Sequence, residues 1–418
     1  MADLILEWLN LAFRWFHVVA AIAWIGASFY FIWLDLNLRT PPQWKTDQGV
    51  KGDLWAIHGG GIYEVAKYSL RPEVMPQKLH WFKWEAYSTW LSGSCLLILI
   101  YYVQAQTYLV GYNTWIQSPV CAIIASILFI VCAQIIYEIL LHTPLVKKGL
   151  VFAAALLAVI TFASWLAHHL FSARAAFLHV GAMIATWMAG NVLWGIMPAQ
   201  RKFIAAVSEH QPPDTKAMLF AKLRSTHNNY LTLPVIFCMI SNHYAFVYGH
   251  PYSWLALVAI LSLLAWCRHF FNLKHLGLVK PGILVSGFFG LLLIAIAMAF
   301  TNNTQSTTKI TSEDDHSTTT SIQNQIQAQT QTNSQAEIEA GKIQKIISVH
   351  CSGCHSAQPK QPGFNAPPAG LIINTTLQLH TLKVRALPAL SSGYMPLGNL
   401  NQMSEQERKT LLVWLEQQ

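Results

Sequence analysis

F-H-V-V-A-A-I-A-W-I-G, residues 16–26, is an apolar run free of Lys, Arg, Asp and Glu. It sits inside a stretch that meets the roughly 20 predominantly apolar residues needed to cross a bilayer core. Seven more such runs follow, centred on 91–100 (L-S-G-S-C-L-L-I-L-I), 123–131, 154–162, 181–190, 233–241, 255–265 and 289–300. Composition points the same way: 53% of residues are hydrophobic and only 11% charged, where a soluble chain carries about 25% charged residues. The expected fold is all-α: residues 1–301 form an eight-helix transmembrane bundle. Five cysteines fall within these spans, where a thiol serves as a small apolar group.

Charges set the expected orientation. Arg39, Lys45, Lys51, Lys67, Arg71, Lys78 and Lys83 lie between the first two spans. Lys147 and Lys148 follow the third, Arg201, Lys202, Lys216, Lys222 and Arg224 the fifth, and Lys274 and Lys280 the seventh. The alternate loops hold only Arg174. The positive-inside rule then puts both termini outside. The net charge of +8 is mostly this loop bias and calls for no nucleic acid. Asp3 and Glu7 precede the first span with no basic n-region, which predicts an uncleaved first helix. Residues 302–335 are rich in Thr, Gln, Asn and Ser, a flexible linker with a coil reach of roughly 30 Å.

Beyond the linker stands C-S-G-C-H, with Cys351, Cys354 and His355. Two thiols three positions apart can each take a haem vinyl group, and the adjacent imidazole is left under the iron. A redox CxxC or half a zinc site is the plainer alternative, disfavoured because no second Cys pair follows. Met395, in G-Y-M-P-L-G (393–398), is the expected sixth ligand, and Met/His ligation raises the potential. Met403 competes for that role, but Ser404 and Glu407 form a capping box after it, so it is expected as a hydrophobic staple. Residues 336–418 thus read as a small α-helical monohaem cytochrome c domain, and covalent haem attachment puts it outside the bacterial cytoplasm.

Histidines form two groups by depth. His17, His179 and His243 lie within roughly 10 Å of the outer face at 1.5 Å per helical residue, with His168 and His169 at the same side. Near the inner face stand His58, His227 and His269, with Glu85 and Glu138 close by. Interfacial imidazoles bonded to helix backbones are the bland reading. Matched His on separate helices is also what a buried haem b or a metal needs, so the outer group is the candidate site for a second cofactor. The H-G-G-G run (58–61) reads as a turn, since it lacks G-x-G-x-x-G and a nucleotide-binding unit around it.

W-A-I-H-G-G-G (55–61), W-F-K-W-E-A-Y-S-T-W-L-S-G (81–93), F-L-H-V-G-A-M (177–183), H-N-N-Y-L-T-L-P-V (227–235), M-I-S-N-H-Y (239–244) and R-H-F-F-N (268–272) resemble the bacterial membrane-bound urate oxidases, or urate hydroxylases. The second and fourth motifs are specific, and the likeness covers nearly the whole chain except the linker. The resemblance implies an eight-helix domain fused to a cytochrome c in the inner membrane. It implies oxidation of urate to 5-hydroxyisourate, with electrons leaving toward a terminal oxidase or a soluble cytochrome. Urate is a planar anion and needs a cation, amide groups, an aromatic wall and a base. His227, Asn228, Asn229, Arg268 and His269, with Tyr230, are the candidate catalytic residues. An alternative arrangement, slightly preferred, puts urate beside the outer histidines and leaves the inner residues structural or gating. Two other functions compete: an electron-transfer subunit of a quinol or alcohol dehydrogenase, and a membrane anchor for a mobile cytochrome. The anchor has no need of polar residues within the spans.

Overall fold

The computed structural model describes residues 2–72, 75–111, 114–250, 252–307, 340–361, 367–368, 371–391 and 393–417. Helices form at all eight apolar runs: α1 (Ala2–Asn37), α2 (Trp84–Leu97), α3 (Pro119–Leu141), α4 (Gly149–Leu170), α5 (Ala173–Gly190), α6 (Thr215–Ser241), α7 (Ser253–His275) and α8 (Gly282–Thr307). Six of these runs are long and apolar enough to cross a membrane, among the described residues. The other two fall short for different reasons. α2 has 14 residues before it loosens into a π-helical turn at Ile98–Tyr102. α6 is long, but its first half, T-K-A-M-L-F-A-K-L-R-S-T-H-N-N, is polar. The linker lies outside the described residues from 308 to 339, and residues 302–307 extend α8 instead of belonging to it.

Local chemistry explains the helix starts. The Asp214 side chain accepts from the amides of Lys216 (3.0 Å) and Ala217 (3.1 Å) to cap α6. Ser172 caps α5 through the Ala175 amide. α5 passes through a second π-helical turn, Asn191–Ile196, before continuing as Met197–Ser208. Such turns widen a helix by one residue and are frequent at functional sites.

The all-α expectation needs one correction. The loop after α1 holds a two-stranded antiparallel hairpin, β1 (Val50–His58) and β2 (Gly61–Tyr68). Val50, Trp55, Ile57, Ile62, Tyr63, Val65 and Tyr68 supply β-branched and aromatic residues to its strands, which suits a pleated ribbon. The H-G-G-G run is its turn: Gly59 and Gly60 have φ of 56° and 80°, the positive values a two-residue hairpin loop requires. Lys45 ties the hairpin to the preceding chain through Asp53 (2.6 Å) and Glu64.

One apolar core, including Trp187, Tyr137, Phe177, Met183 and Leu257, fills the bundle. A separate cluster of Ile343, Ile346, Ile347, Leu379, Leu390, Met403, Leu411 and Leu415 holds the C-terminal residues together. There α9 (Lys383–Ser391) and α10 (Glu405–Gln417) pack on the helical residues 340–350. The C-terminal unit rests on the end of the bundle whose loops carry few cations. Tyr394 meets Tyr248 edge-on at 5.1 Å and hydrogen-bonds Arg174. Gly398 lies so close to residues 106 and 107 that a Cβ would come within 2.5 Å of the Gln106 carbonyl.

Candidate functional site

A cavity of about 900 Å³ opens at the opposite end, where the basic loops gather. It lies within the range of small-molecule sites, about 300–1,000 Å³. Trp24, Phe31, Trp81 and Phe82 supply aromatic wall, and Asn228, Asn229, Tyr230 and Asn272 supply polar groups. Arg39, Lys51, Lys67 and Lys222 also line it, against Asp35 and Glu85. Four cations against two carboxylates make the cavity attractive to anions.

Two hydrogen-bonded sets fix its amides. Asn228, buried, accepts from Asn191 Nδ2 (2.9 Å) and donates to the Met188 carbonyl (3.0 Å). Asn191 sits in the π turn and also donates to Tyr137 Oη (2.8 Å) and accepts from Arg224 (3.3 Å). Arg224 in turn forms a two-pronged pair with Glu138, at 2.7 and 2.8 Å. Its side chain crosses Gly195 where a Cβ would collide with it. In the second set, Arg268 Nε donates to Asn229 Oδ1 (2.5 Å), and Asn229 Nδ2 donates to Asn272 (2.7 Å). An amide nitrogen has two protons, so Asn228 and Asn229, each donating once, keep one N–H apiece for a ligand.

Of the five inner candidates, Asn228 and Asn229 line the cavity directly. Arg268 stands behind Asn229, buried and stacked over Phe29 at 4.1 Å. His269 is held by Tyr230 Oη (2.7 Å) and stacked on Trp266. His227 faces away, bonded to Tyr137 Oη (3.0 Å) and stacked on Phe152. Trp81, Phe82 and Lys222 are cavity residues that reading for histidines passed over, while Glu85 lines the cavity as its place near the inner histidines suggested. The signal for Trp81 and Phe82 was the W-F-K-W-E-A-Y run.

The outer histidines do not come together as ligands. His17 Nδ1 lies 3.0 Å from both the Thr89 carbonyl and Ser92 Oγ. His179 has both nitrogens occupied, by Ser126 Oγ (2.6 Å) and the Ala175 carbonyl (2.7 Å), with Phe171 stacked at 4.3 Å. His243 is exposed. Among the described residues no group of three or more His, Cys, Asp or Glu could hold a metal ion. His179 has no free imidazole nitrogen in this arrangement, whereas His17 keeps its Nε2.

The C-S-G-C-H residues fit covalent haem. Cys351 and Cys354 are free thiols one turn apart. Burial pushes the Cys351 thiol up to about 12 and raises that of Cys354. His355 is buried, and its Nδ1 lies 3.0 Å from the Leu371 carbonyl, which holds the ring and leaves Nε2 for a metal. Burial lowers its pKa, so the ring is neutral at pH 7. Met395 packs at the edge of the C-terminal apolar cluster, whereas Met403 is fully inside it. The capping box is present: the Ser404 amide donates to Glu407 Oε2 (2.9 Å) and the Glu407 amide to Ser404 Oγ (3.2 Å).

The fold and cavity describe a helical protein with six helices long and apolar enough to cross a membrane and an anion-attracting pocket built from helix ends. A family profile described as urate oxidase N-terminal matches residues 3–299, and the chain belongs to this family. No curated protein and no solved structure was found to match it.

Proposed function

We propose that the protein is a membrane-bound oxidoreductase that oxidises urate to 5-hydroxyisourate. The observation that carries this reading is the cavity: a planar anion finds aromatic walls, excess positive charge and two anchored amides in one place. Membership of the urate oxidase N-terminal family supports the substrate. The inner placement of the cavity favours the inner residues over the outer histidines as the substrate site.

Asn228 and Asn229 each present one N–H to the carbonyl edges of urate. Arg268 and Arg224 hold those amides in place without touching the ligand. Trp81 and Phe82 close over the ring and exclude water from one face. Residues 336–418 form a cytochrome c domain, in which Cys351 and Cys354 hold haem covalently and His355 and Met395 ligate it. Bound there, haem supplies a one-electron acceptor of raised potential. Eight spans, with both termini on the periplasmic side of a bacterial inner membrane, complete the architecture, and the acceptor beyond the haem is a terminal oxidase or a soluble cytochrome.

Anaerobic addition of urate to the purified protein should bleach the oxidised c-haem spectrum and yield 5-hydroxyisourate. Reduction by a quinol with indifference to urate would replace this reading with the electron-transfer subunit.

A further inference from the structure

Glu85 stands in the first turn of α2 and lines the cavity. Its Oε2 is withdrawn from solvent and has no hydrogen-bond partner among the described residues. An acceptor withdrawn from water and left unmatched is unfavourable, and the Glu85 side chain keeps 22% of its surface exposed, so a donor brought into the cavity beside it would be bound there. Its other oxygen lies 3.7 Å from His80 Nε2, and the His80 side chain is 70% exposed. Asn228 and Asn229 line the same cavity, and their spare protons are donors suited to carbonyl oxygens. Urate carries both kinds of edge: carbonyl oxygens that accept and ring N–H groups that donate. The asparagines serve the first, and only an acceptor serves the second.

The geometry points to Glu85 as the group that binds an N–H edge of urate and takes its proton. This assignment rests on the urate reading above. In the reaction, urate and one water give 5-hydroxyisourate, two protons and two electrons. A C–O bond forms from water to the ring, an O–H bond of that water breaks, and a ring N–H bond breaks. The electrons leave singly to the haem that the functional reading names. Glu85 receives a proton and hands it to His80, which releases it to solvent before the next is taken. Glu85 is then a catalytic residue, and His80 a positioning and relay residue.

The test uses the full-length protein in membranes, with urate as the probe. Turnover is read by haem reduction, and binding by quenching of the cavity tryptophans. Glu85→Gln should lower turnover at least about 100-fold, the typical worth of a positioned base, while urate affinity changes less than about tenfold. Glu85→Ala should be equally slow and should recover in proportion to added formate, which a merely structural loss would not do. His80→Gln should slow turnover and leave binding unchanged. Wild-type turnover in Glu85→Gln, or a slow Glu85→Ala that formate does not rescue, overturns the assignment. If the alanine variant does not accumulate in the membrane, the near-isosteric glutamine variant decides alone. A wild-type chain that neither binds nor oxidises urate refutes the functional reading itself. Normal wild-type activity with a fully active Glu85→Gln refutes only the role of Glu85.

Discussion

Replacing Arg224 with Met removes the cation that anchors the cavity floor. The guanidinium makes two contacts with Glu138, at 2.7 and 2.8 Å, and one with Asn191 at 3.3 Å. The Arg224 side chain is 4% exposed and that of Glu138 25%. Removing one partner of a buried pair costs about 3–5 kcal/mol, because the remaining charge is stranded. Glu138 keeps a quarter of its surface and a bond from Gln134 at 3.3 Å, which puts the cost near the lower end, about 3 kcal/mol. The assay is unfolding in detergent by tryptophan fluorescence, for Arg224→Met, Glu138→Gln and the double variant. The double variant should be more stable than Arg224→Met alone, since no uncompensated carboxylate remains. Urate affinity should fall in Arg224→Met because Asn191 loses an anchor and no longer sets the Asn228 amide. A loss under about 1 kcal/mol, or a double variant no better than the single, would refute the stranded-charge reasoning.

Met395→Ala should lower the potential of the C-terminal haem and leave it covalently attached, as a redox titration would read. An unchanged potential would hand the sixth position to Met403. A reporter fused after Thr301 should be active on the periplasmic side, and activity confined to the cytoplasm would reverse the topology. Bonds from the Ser404 amide and hydroxyl hold the Glu407 carboxyl below its ordinary value of 4.5. The bonds therefore stabilise the folded C-terminal unit above pH 4.5, and the benefit is lost as pH falls through the depressed value. Glu407→Gln should then weaken the unit at neutral pH and match the wild type at low pH in acid unfolding followed by circular dichroism.

Helix positions were legible because apolar runs are long and few residues interrupt them. Even the capping box at Ser404 and the turn at Gly59 and Gly60 could be read from residue type. The hairpin is not legible from the charges of its loop, although Trp55, Ile57, Ile62, Tyr63 and Val65 are strand formers flanking the Gly59-Gly60 turn. The cavity was only partly legible for a geometric reason. Successive helical residues point about 100° apart, so H-N-N-Y cannot turn all four side chains to one ligand. His227 turns to Tyr137 and Phe152, while Asn228 and Asn229 reach the cavity. The π turn that brings Asn191 to Tyr137, Asn228 and Arg224 leaves no signature in an apolar stretch. Depth alone says nothing about the direction around each helix, so the depth shared by His17, His179 and His243 does not fix which way their rings face.

The two ends of the bundle carry different halves of the proposed chemistry. Cavity residues come from the ends that bear the basic loops, and the C-terminal unit rests on the ends that do not. His179 spends both nitrogens on neighbours, and what lies between the ends is a packed interior of Tyr137, Trp187, Phe129, Phe171 and Tyr101. Along α5, His179 and Trp187 are eight residues apart, about 12 Å of helix, so aromatic groups recur through a core of about 30 Å. On the functional reading, protons leave at the inner face through Glu85 and His80 while electrons move outward to the haem. In an energised membrane, negative inside, each electron moving outward gains about 2.3 kcal/mol per 100 mV. This arrangement lets the membrane potential pull on each electron withdrawn at the cavity. An outer substrate site beside the haem would forgo that pull, which is a physical reason for the cavity to lie at the inner end.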